Sequence, residues 1–279
     1  MLDTSAIRSI SSKLLQAMAR QKPIYVSPYC FWEILCHLDE NEKFSRFKDL
    51  LMKFKYVEVL GNPYTLFKTS FLPEDLDLQA RVTEDDVIYA TLAALQASDS
   101  LNTFYSAYIE DSQGNIRQIT NCADRARKIL GKREEDYTNF IIEIVEAIQL
   151  GKVELKTNDD YYQAILDLID GEVIKLKRQG AELELREKVI SDAYFYYSYI
   201  FFRALKYSKC GKTNVDKNDF EDSNLCLHLR LNSSYILVTA DKGMRNALNE
   251  AIITLEKLEK PGLNTTLQIK EVKDFQSLS

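Results

Sequence analysis

Five carboxylates are the residues of this chain best placed to do chemistry. Asp3 follows the short apolar start of the sequence, and Asp241 follows the apolar run YILVT. Glu33 falls in the predicted helix PYCFWEILCHLD, while Asp219 and Asp222 lie three positions apart, on one face of a predicted helix. Carboxylates gathered in one crevice repel each other unless cations lie among them, and oxygen-only ligands favour Mg²⁺ or Mn²⁺. Taken singly, each acid also has an ordinary explanation, because acids are favoured near helix N-termini.

The segments that carry these acids alternate between strand and helix patterns. Before residue 60, the pattern predicts an extended start at MLDTS, a helix in SAIRSISSKLLQAMARQ, a strand at IYV, a helix after Ser27–Pro28, a helix at Phe44–Phe54 and a strand at YVEVL. After residue 216 it predicts a helix in NDFEDSNLCLHLRLN, a strand at SYILVTAD, a helix in KGMRNALNEAIITLEKL and a strand at TTLQIKEV. This alternation favours an α/β fold with a parallel sheet, whose strands bring residues at their carboxyl ends to one crevice.

The middle of the chain has a different character. Residues 61–204 show long helical patterns and no clear strand, which predicts an all-helical insertion between residues 1–60 and 205–279 of one discontinuous α/β domain. Charge supports the same division. The insertion holds 16 Lys and Arg against 25 Asp and Glu, whereas the outer segments hold 20 against 17.

Four motifs, in order, resemble the acidic motifs of PIN-domain nucleases: MLDTS, SPYCFWEIL, NDFEDSNLCLHL and YILVTADKGMR. The resemblance covers the outer segments and not the helical middle. It implies a PIN-like parallel sheet flanked by helices and a divalent-metal-dependent endoribonuclease that uses Mg²⁺ or Mn²⁺ to hydrolyse RNA phosphodiester bonds.

The resemblance also implies roles for individual residues. Asp3, Glu33, Asp222 and Asp241 match the catalytic acids, and the metal ligands are expected among Asp3, Asp219, Asp222 and Asp241. Which of Asp219 and Asp222 binds metal directly stays open. Ser5 and Thr239 match small hydroxylated positions that orient the acids or a metal-bound water, with helix capping or strand packing as the alternative.

Charge suggests how a substrate would be attracted. Without the five acids, the outer segments hold 20 basic against 12 acidic residues, the charge layout that a metal-dependent nuclease needs. The expected partner is RNA, single-stranded or in a loop. Lys242 and Arg245, just after Asp241, are the predicted phosphate contacts, with a solvated helix face as the alternative. The acidic insertion suits a homo-oligomer or protein partner better than RNA. Its aromatic run DAYFYYSYIFFRALKY is expected to be core or oligomer packing rather than a stacking surface for bases.

Several other classes of protein are disfavoured. The sequence has no apolar run long enough for a membrane span and no signal-peptide pattern, so we expect a cytoplasmic protein without a membrane partner. Five cysteines without CxxC spacing and two histidines make disulfide, zinc and histidine-relay chemistry improbable. No glycine-rich phosphate-binding motif follows a strand, which disfavours a nucleotide-binding protein. The remaining alternative is a catalytically inactive PIN-fold scaffold for protein interactions.

Overall fold

The computed structural model describes residues 1–40, 43–72, 84–110, 114, 116–119, 122–153, 155–181, 185–211, 215–258 and 265–276. The strands described are β1 (Tyr25–Val26), β2 (Glu58–Val59), β3 (Tyr108–Glu110), β4 (Ile116–Gln118), β5 (Ile236–Val238) and β6 (Gln268–Lys270). The helices are α1 (Thr4–Ser9), α2 (Ser12–Ala19), α3 (Pro28–Leu35), α4 (Phe44–Leu51), α5 (Pro63–Thr69), α6 (Glu84–Ala97), α7 (Leu101–Tyr105), α8 (Cys122–Gln149), α9 (Asn158–Arg178), α10 (Arg186–Cys210), α11 (Asp219–Cys226), α12 (Lys242–Lys257) and α13 (Val272–Gln276).

Leu2 is the centre of a parallel sheet. It forms parallel bridges with both Val26 of β1 and Val238 of β5. β1 pairs in parallel with β2, and β5 pairs in parallel with β6, so the spatial order is β2, β1, Leu2, β5, β6. The chain therefore has the parallel strands and intervening helices of an α/β protein. Because all strands run the same way, their carboxyl ends lie at one edge of the sheet.

Local sequence explains where the helices near this edge begin. Ser27 follows β1 and caps α3, with Pro28 in the first turn, as predicted. The single helix predicted in SAIRSISSKLLQAMARQ is instead two helices. The break occurs because Ile10 is extended and the Ser11 hydroxyl accepts a hydrogen bond from the Leu14 N–H, which begins α2.

The middle of the chain is not all-helical, so that prediction is wrong. β3 and β4 form an antiparallel hairpin in which Ile109 is opposite Arg117. Each strand has three residues, too few for a period-two pattern to stand out from the sequence. None of the described helices combines the length and apolarity that a membrane crossing requires.

α10 packs against four other helices. It contacts α8 and α9 from the middle of the chain and α11 and α12 from the part that follows it. Its aromatic side chains are buried, including Tyr194, Phe195 and Phe201, which confirms the prediction that they form core. The predicted boundary between residues 204 and 205 falls inside this helix, and the buried apolar residues on both sides belong to one core.

Candidate active site at the carboxyl edge of the sheet

Asp3 lies at the carboxyl edge, directly after Leu2, and caps the N-terminus of α1. Its Oδ1 accepts a hydrogen bond from the Ala6 N–H at 2.7 Å. The Ser5 hydroxyl lies 2.9 and 2.7 Å from the two carboxylate oxygens, and the Thr239 hydroxyl donates to Oδ2 at 2.5 Å. The side chain is 2% exposed. Neutral donors alone therefore fix the orientation of a buried carboxylate.

The two hydroxyls are themselves oriented by the loop after β5. The Ala240 N–H donates to Ser5 Oγ at 2.8 Å, and the Asp241 N–H donates to Thr239 Oγ1 at 2.9 Å. Since each hydroxyl oxygen accepts a backbone hydrogen bond, its own proton is directed toward Asp3. This is the arrangement expected of residues that orient an acid, and it ties the first residues of the chain to the end of β5.

Asp241 reaches the same edge from β5. It caps the N-terminus of α12, where its Oδ1 accepts a hydrogen bond from the Met244 N–H at 2.5 Å. A Cβ atom built on Gly243 would lie 3.0 Å from this oxygen and 2.5 Å from Nη1 of Arg203. Glycine at position 243 therefore lets a guanidinium from α10 approach the start of α12 beside the Asp241 carboxylate.

Asp222, on α11, is the acid most affected by the others. Burial raises its pKa well above the usual range, and the negative charges of Asp3, Asp241, Asp219 and Glu33 raise it further. Burial also raises the pKa of Asp3 to about 6, with a further contribution from the charge of Asp241. The other four carboxylates predicted from the sequence therefore all lie within electrostatic reach of Asp222.

Asp219 is held differently from the other acids. Arg203 binds it through two nitrogens, with Nη2 2.6 Å from Oδ1 and Nε 2.9 Å from Oδ2. The Tyr207 hydroxyl donates to Oδ2 of Asp219 at 2.6 Å. The Tyr199 hydroxyl lies 3.1 Å from Oδ1 of Asp219 and 3.2 Å from Oδ2 of Asp222. Both oxygens of Asp219 are thus engaged by protein donors. Of these two acids, Asp222 is the one less occupied by protein partners.

The partners of Asp219 were not predicted. Tyr199, Arg203 and Tyr207 lie within the aromatic run that sequence analysis treated only as packing. Their spacing of four residues places three polar groups on one face of a helix, and this spacing was the available signal. Although burial alone would lower the pKa of Arg203, its hydrogen bonds and ion pair with Asp219 raise it, so the guanidinium stays charged.

Glu33, on α3, forms an ion pair. Its Oε1 is 3.3 Å from Nη2 of Arg8, and its side chain is 17% exposed. Glu221, on α11, is a further acid that the sequence did not single out. Burial raises its pKa to about 8, and the charges of Glu33 and Glu134 contribute to the rise. Within the described part of the chain, its Oε2 atom is buried and has no hydrogen-bond partner.

The two predicted phosphate contacts differ in their surroundings. Lys242 is exposed in the first turn of α12. Arg245 is held by the protein, because its Nη1 donates to the Thr239 carbonyl oxygen at 3.1 Å and its Nη2 lies 3.1 Å from Oε1 of Glu271. Arg245 thus stabilises the loop after β5, and Lys242 is the more exposed of the two cations.

The carboxylate oxygens at this edge are the type of ligand that a hard divalent ion prefers, but the described carboxylates are not spaced as metal ligands. Asp3, Asp222 and Asp241 offer only oxygen ligands. Burial is the main cause of the raised pKa values of Asp3 and Asp222, and a bound cation would offset both that burial and the smaller contribution of the neighbouring negative charges. Among the residues that the structure describes, however, no three His, Cys, Asp or Glu side chains are grouped closely enough to hold a metal ion as they stand. Binding would therefore require the carboxylates to draw together.

Comparison with known proteins adds no relative. No family model, curated protein or solved structure matches this chain. The functional reading therefore depends on the acidic motifs and on the geometry of the carboxyl edge.

Proposed function

We propose that this protein is a divalent-metal-dependent endoribonuclease with a PIN-like α/β domain. The observation that carries the proposal is the placement of Asp3 and Asp241, from distant parts of the chain, at the carboxyl edge of a parallel sheet, where Ser5 and Thr239 link them. Asp222, on α11, is buried within electrostatic reach of both. A protein gains no stability from burying like charges together, because each raises the free energy of ionising the others. A bound cation would offset this free-energy cost, which is why we interpret the carboxylates as a cation site.

In this proposal the residues of the chain act as follows. Asp3, Asp222 and Asp241 would hold one or two Mg²⁺ or Mn²⁺ ions, and Ser5 and Thr239 keep the Asp3 carboxylate in a fixed orientation. When bound, the ion supplies Lewis acidity toward the phosphodiester and toward the attacking water. Lys242 attracts the substrate phosphate. Asp219 contributes indirectly, since its ion pair with Arg203 fixes α11 and therefore the position of Asp222.

An inactive scaffold is the second candidate, and one observation favours it. The described carboxylates are not grouped at metal-ligand spacing, and Asp219 is fully engaged by Arg203 and two tyrosines. A scaffold of this kind would bind a protein partner or a second copy of itself through the middle segment and would not need a metal. Metal binding and cleavage separate the two candidates.

The test is cleavage of a labelled RNA pool by the purified protein in EDTA, Mg²⁺ or Mn²⁺. We expect cleavage with either metal and none in EDTA. Asp3→Asn should abolish it, because the variant loses a charged ligand, while the matched control Asp136→Asn changes an exposed acid of α8 and should cleave normally.

The same preparations are titrated with Mn²⁺ by calorimetry. Cleavage that persists in EDTA, or that Asp3→Asn retains, would refute the proposed mechanism. Absence of both cleavage and metal binding in the wild-type protein would favour the scaffold.

A further inference from the structure

A cleft lies beside the carboxylate cluster, between α9, α10 and α12. Its volume is about 470 Å³, within the range of small-molecule binding sites. Residues of α9 and α10, which belong to the middle of the sequence, form one side, and the first turns of α12 form the other. The middle segment thus contributes directly to the surface next to the candidate site.

Gly243 borders both the cleft and the Asp241 carboxylate. It lines the cleft, and a Cβ atom built on it would lie 3.0 Å from Oδ1 of Asp241. The Arg203 guanidinium also lines the cleft, and its Nη1 would lie 2.5 Å from the same Cβ position. A polymer whose reacting phosphate lies at the carboxylates would therefore place a neighbouring nucleotide in this cleft.

Two lysines supply positive charge to the cleft. Lys206 and Lys209 lie three positions apart near the end of α10, so they share one helix face, and both are exposed. Within the described part of the chain, neither ammonium forms an ion pair of 4.0 Å or less, unlike Arg203. One acid, Glu250, is among the lining residues. The two lysines therefore outweigh it and are free to bind phosphate.

An aromatic surface lies in the same cleft. Tyr161 is half-buried, and its ring lies 5.9 Å from that of Phe202 and 6.0 Å from that of Phe201, between centroids. These ring contacts hold Tyr161 in place, so stacking a base on it costs little conformational entropy. Asn246 contributes an exposed amide from α12.

We infer that this cleft binds the nucleotide of single-stranded RNA that adjoins the scissile phosphate, with Lys206 and Lys209 on its phosphate and Tyr161 against its base. The inference rests on the proposed nuclease function and deepens it. It assigns substrate binding to the middle segment, although the net negative charge of that segment favours a protein partner over RNA. Cation and aromatic groups combined in one groove are typical of sites for single-stranded nucleic acid.

The test is the anisotropy of a fluorescein-labelled oligouridylate, titrated with the protein in EDTA so that no cleavage occurs. We expect Lys206→Ala/Lys209→Ala to bind about tenfold more weakly and to lower the slope of log affinity against log salt by about 1.4, the value for two phosphate contacts on a single strand. Tyr161→Ala should bind about fivefold more weakly or worse, whereas Tyr161→Phe should bind normally because it keeps the ring.

The matched control is Lys177→Ala/Arg178→Ala, which removes two exposed cations from the last turn of α9, about 24 Å along that helix from Tyr161. Lysines near a helix C-terminus also stabilise it through the helix dipole, so thermal melts are run on every variant. A change in stability without a change in affinity would overturn the inference, as would an equal loss of affinity in the control.

The outcome for this cleft is separable from the outcome for the proposed function. If the wild-type protein cleaves RNA in Mn²⁺ but the variants at Lys206, Lys209 and Tyr161 bind as the wild type does, the cleft assignment fails and the nuclease stands. If the wild-type protein neither cleaves nor binds RNA, both fail.

Discussion

Asp3 and Asp219 are the same residue type, equally buried at 2% exposure, and they are held in opposite ways. Asp3 is surrounded by two hydroxyls and a backbone N–H, none of which carries a charge. Asp219 is bound by the Arg203 guanidinium through two nitrogens and by two phenols. Among the residues that the structure describes, the first carboxylate is oriented but has no counter-ion, whereas the second is neutralised by Arg203.

Under the proposed function, this difference separates an acid suited to bind a cation from an acid that serves the structure. Neutral donors fix the direction of a carboxylate without cancelling its charge, so the charge remains available to a cation. A guanidinium bound through two nitrogens cancels the charge and occupies both oxygens. The contrast accounts for why two acids that look alike in sequence have different roles, and it is open to direct test by substitution.

The largest effect is expected from removal of the charge that compensates Asp219. Arg203→Met leaves a buried carboxylate without its cation, which should lower the free energy of unfolding by about 3–5 kcal/mol in urea denaturation. The matched control is Arg186→Met, which breaks an ion pair with Asp170 whose side chains are 42% and 38% exposed. Loss of an exposed pair should cost about 0–1 kcal/mol.

A second variant checks the cause of that effect. Arg203→Met combined with Asp219→Asn removes both charges, and much of the lost stability should return because no uncompensated charge remains. Equal losses for Arg203→Met and Arg186→Met would contradict the structural role given to Asp219.

Substitution of Asp3 by asparagine is expected to raise the free energy of unfolding, whereas Arg203→Met lowers it. The pKa of Asp3 is about 6 in the folded protein and 3.8 in a model peptide, so the unfolded state ionises first as the pH rises. Ionisation of Asp3 therefore lowers the stability of the wild-type protein between about pH 4 and pH 6, and Asp3→Asn lacks this contribution. The variant should match the wild type below pH 4 and exceed it by about 1–3 kcal/mol above pH 6. Asparagine is also a good N-cap, so α1 should be retained.

The measurement is urea denaturation of both proteins at intervals from pH 3.5 to about 7.5, with the difference in unfolding free energy plotted against pH. A constant difference across this range, or a difference that decreases toward neutral pH, would show that Asp3 carries no ionisation penalty. The contrast with Asp219 would then fail.

The smallest effect concerns the hydroxyls that hold Asp3. Thr239→Val removes a donor that lowers the pKa of Asp3, so the pKa should rise above 6. The loss of stability should be about 1 kcal/mol. Repeating the Asp3→Asn comparison in this background should move the midpoint of the pH dependence upward. Thr254→Val, at a buried threonine that donates to the Glu250 carbonyl oxygen, is the control and should leave the midpoint unchanged.

The sequence predicted the part of the site that depends on strand order. Asp3 and Asp241 were placed by the rule that residues after parallel strands share one edge, and the structure brings both to that edge beside Leu2 and β5. The hydroxyls of Ser5 and Thr239 also lie where the acidic motifs implied. These predictions needed only local patterns and the direction of the strands.

The remainder depended on tertiary contacts that no local pattern contains. The Arg203–Asp219 ion pair joins two helices, and the direction in which each helix presents its polar face is set by packing against α8, α9 and α12. The cleft lined by Lys206 and Gly243 likewise arises from how α10 and α12 meet. For the same reason the middle segment was treated as a separate insertion, whereas α10 belongs to the core of the whole protein.

The position of Leu2 has a consequence for the order of events during folding. Asp3 and Thr239, which hydrogen-bond beside it, lie 236 positions apart in the chain. Contacts between such distant residues form slowly, because a very long loop must close before they are gained. The carboxylate cluster therefore does not exist in a growing chain until residues through Asp241 have been synthesised. Any chemistry at this edge would begin only after the helices of the middle segment have had time to form.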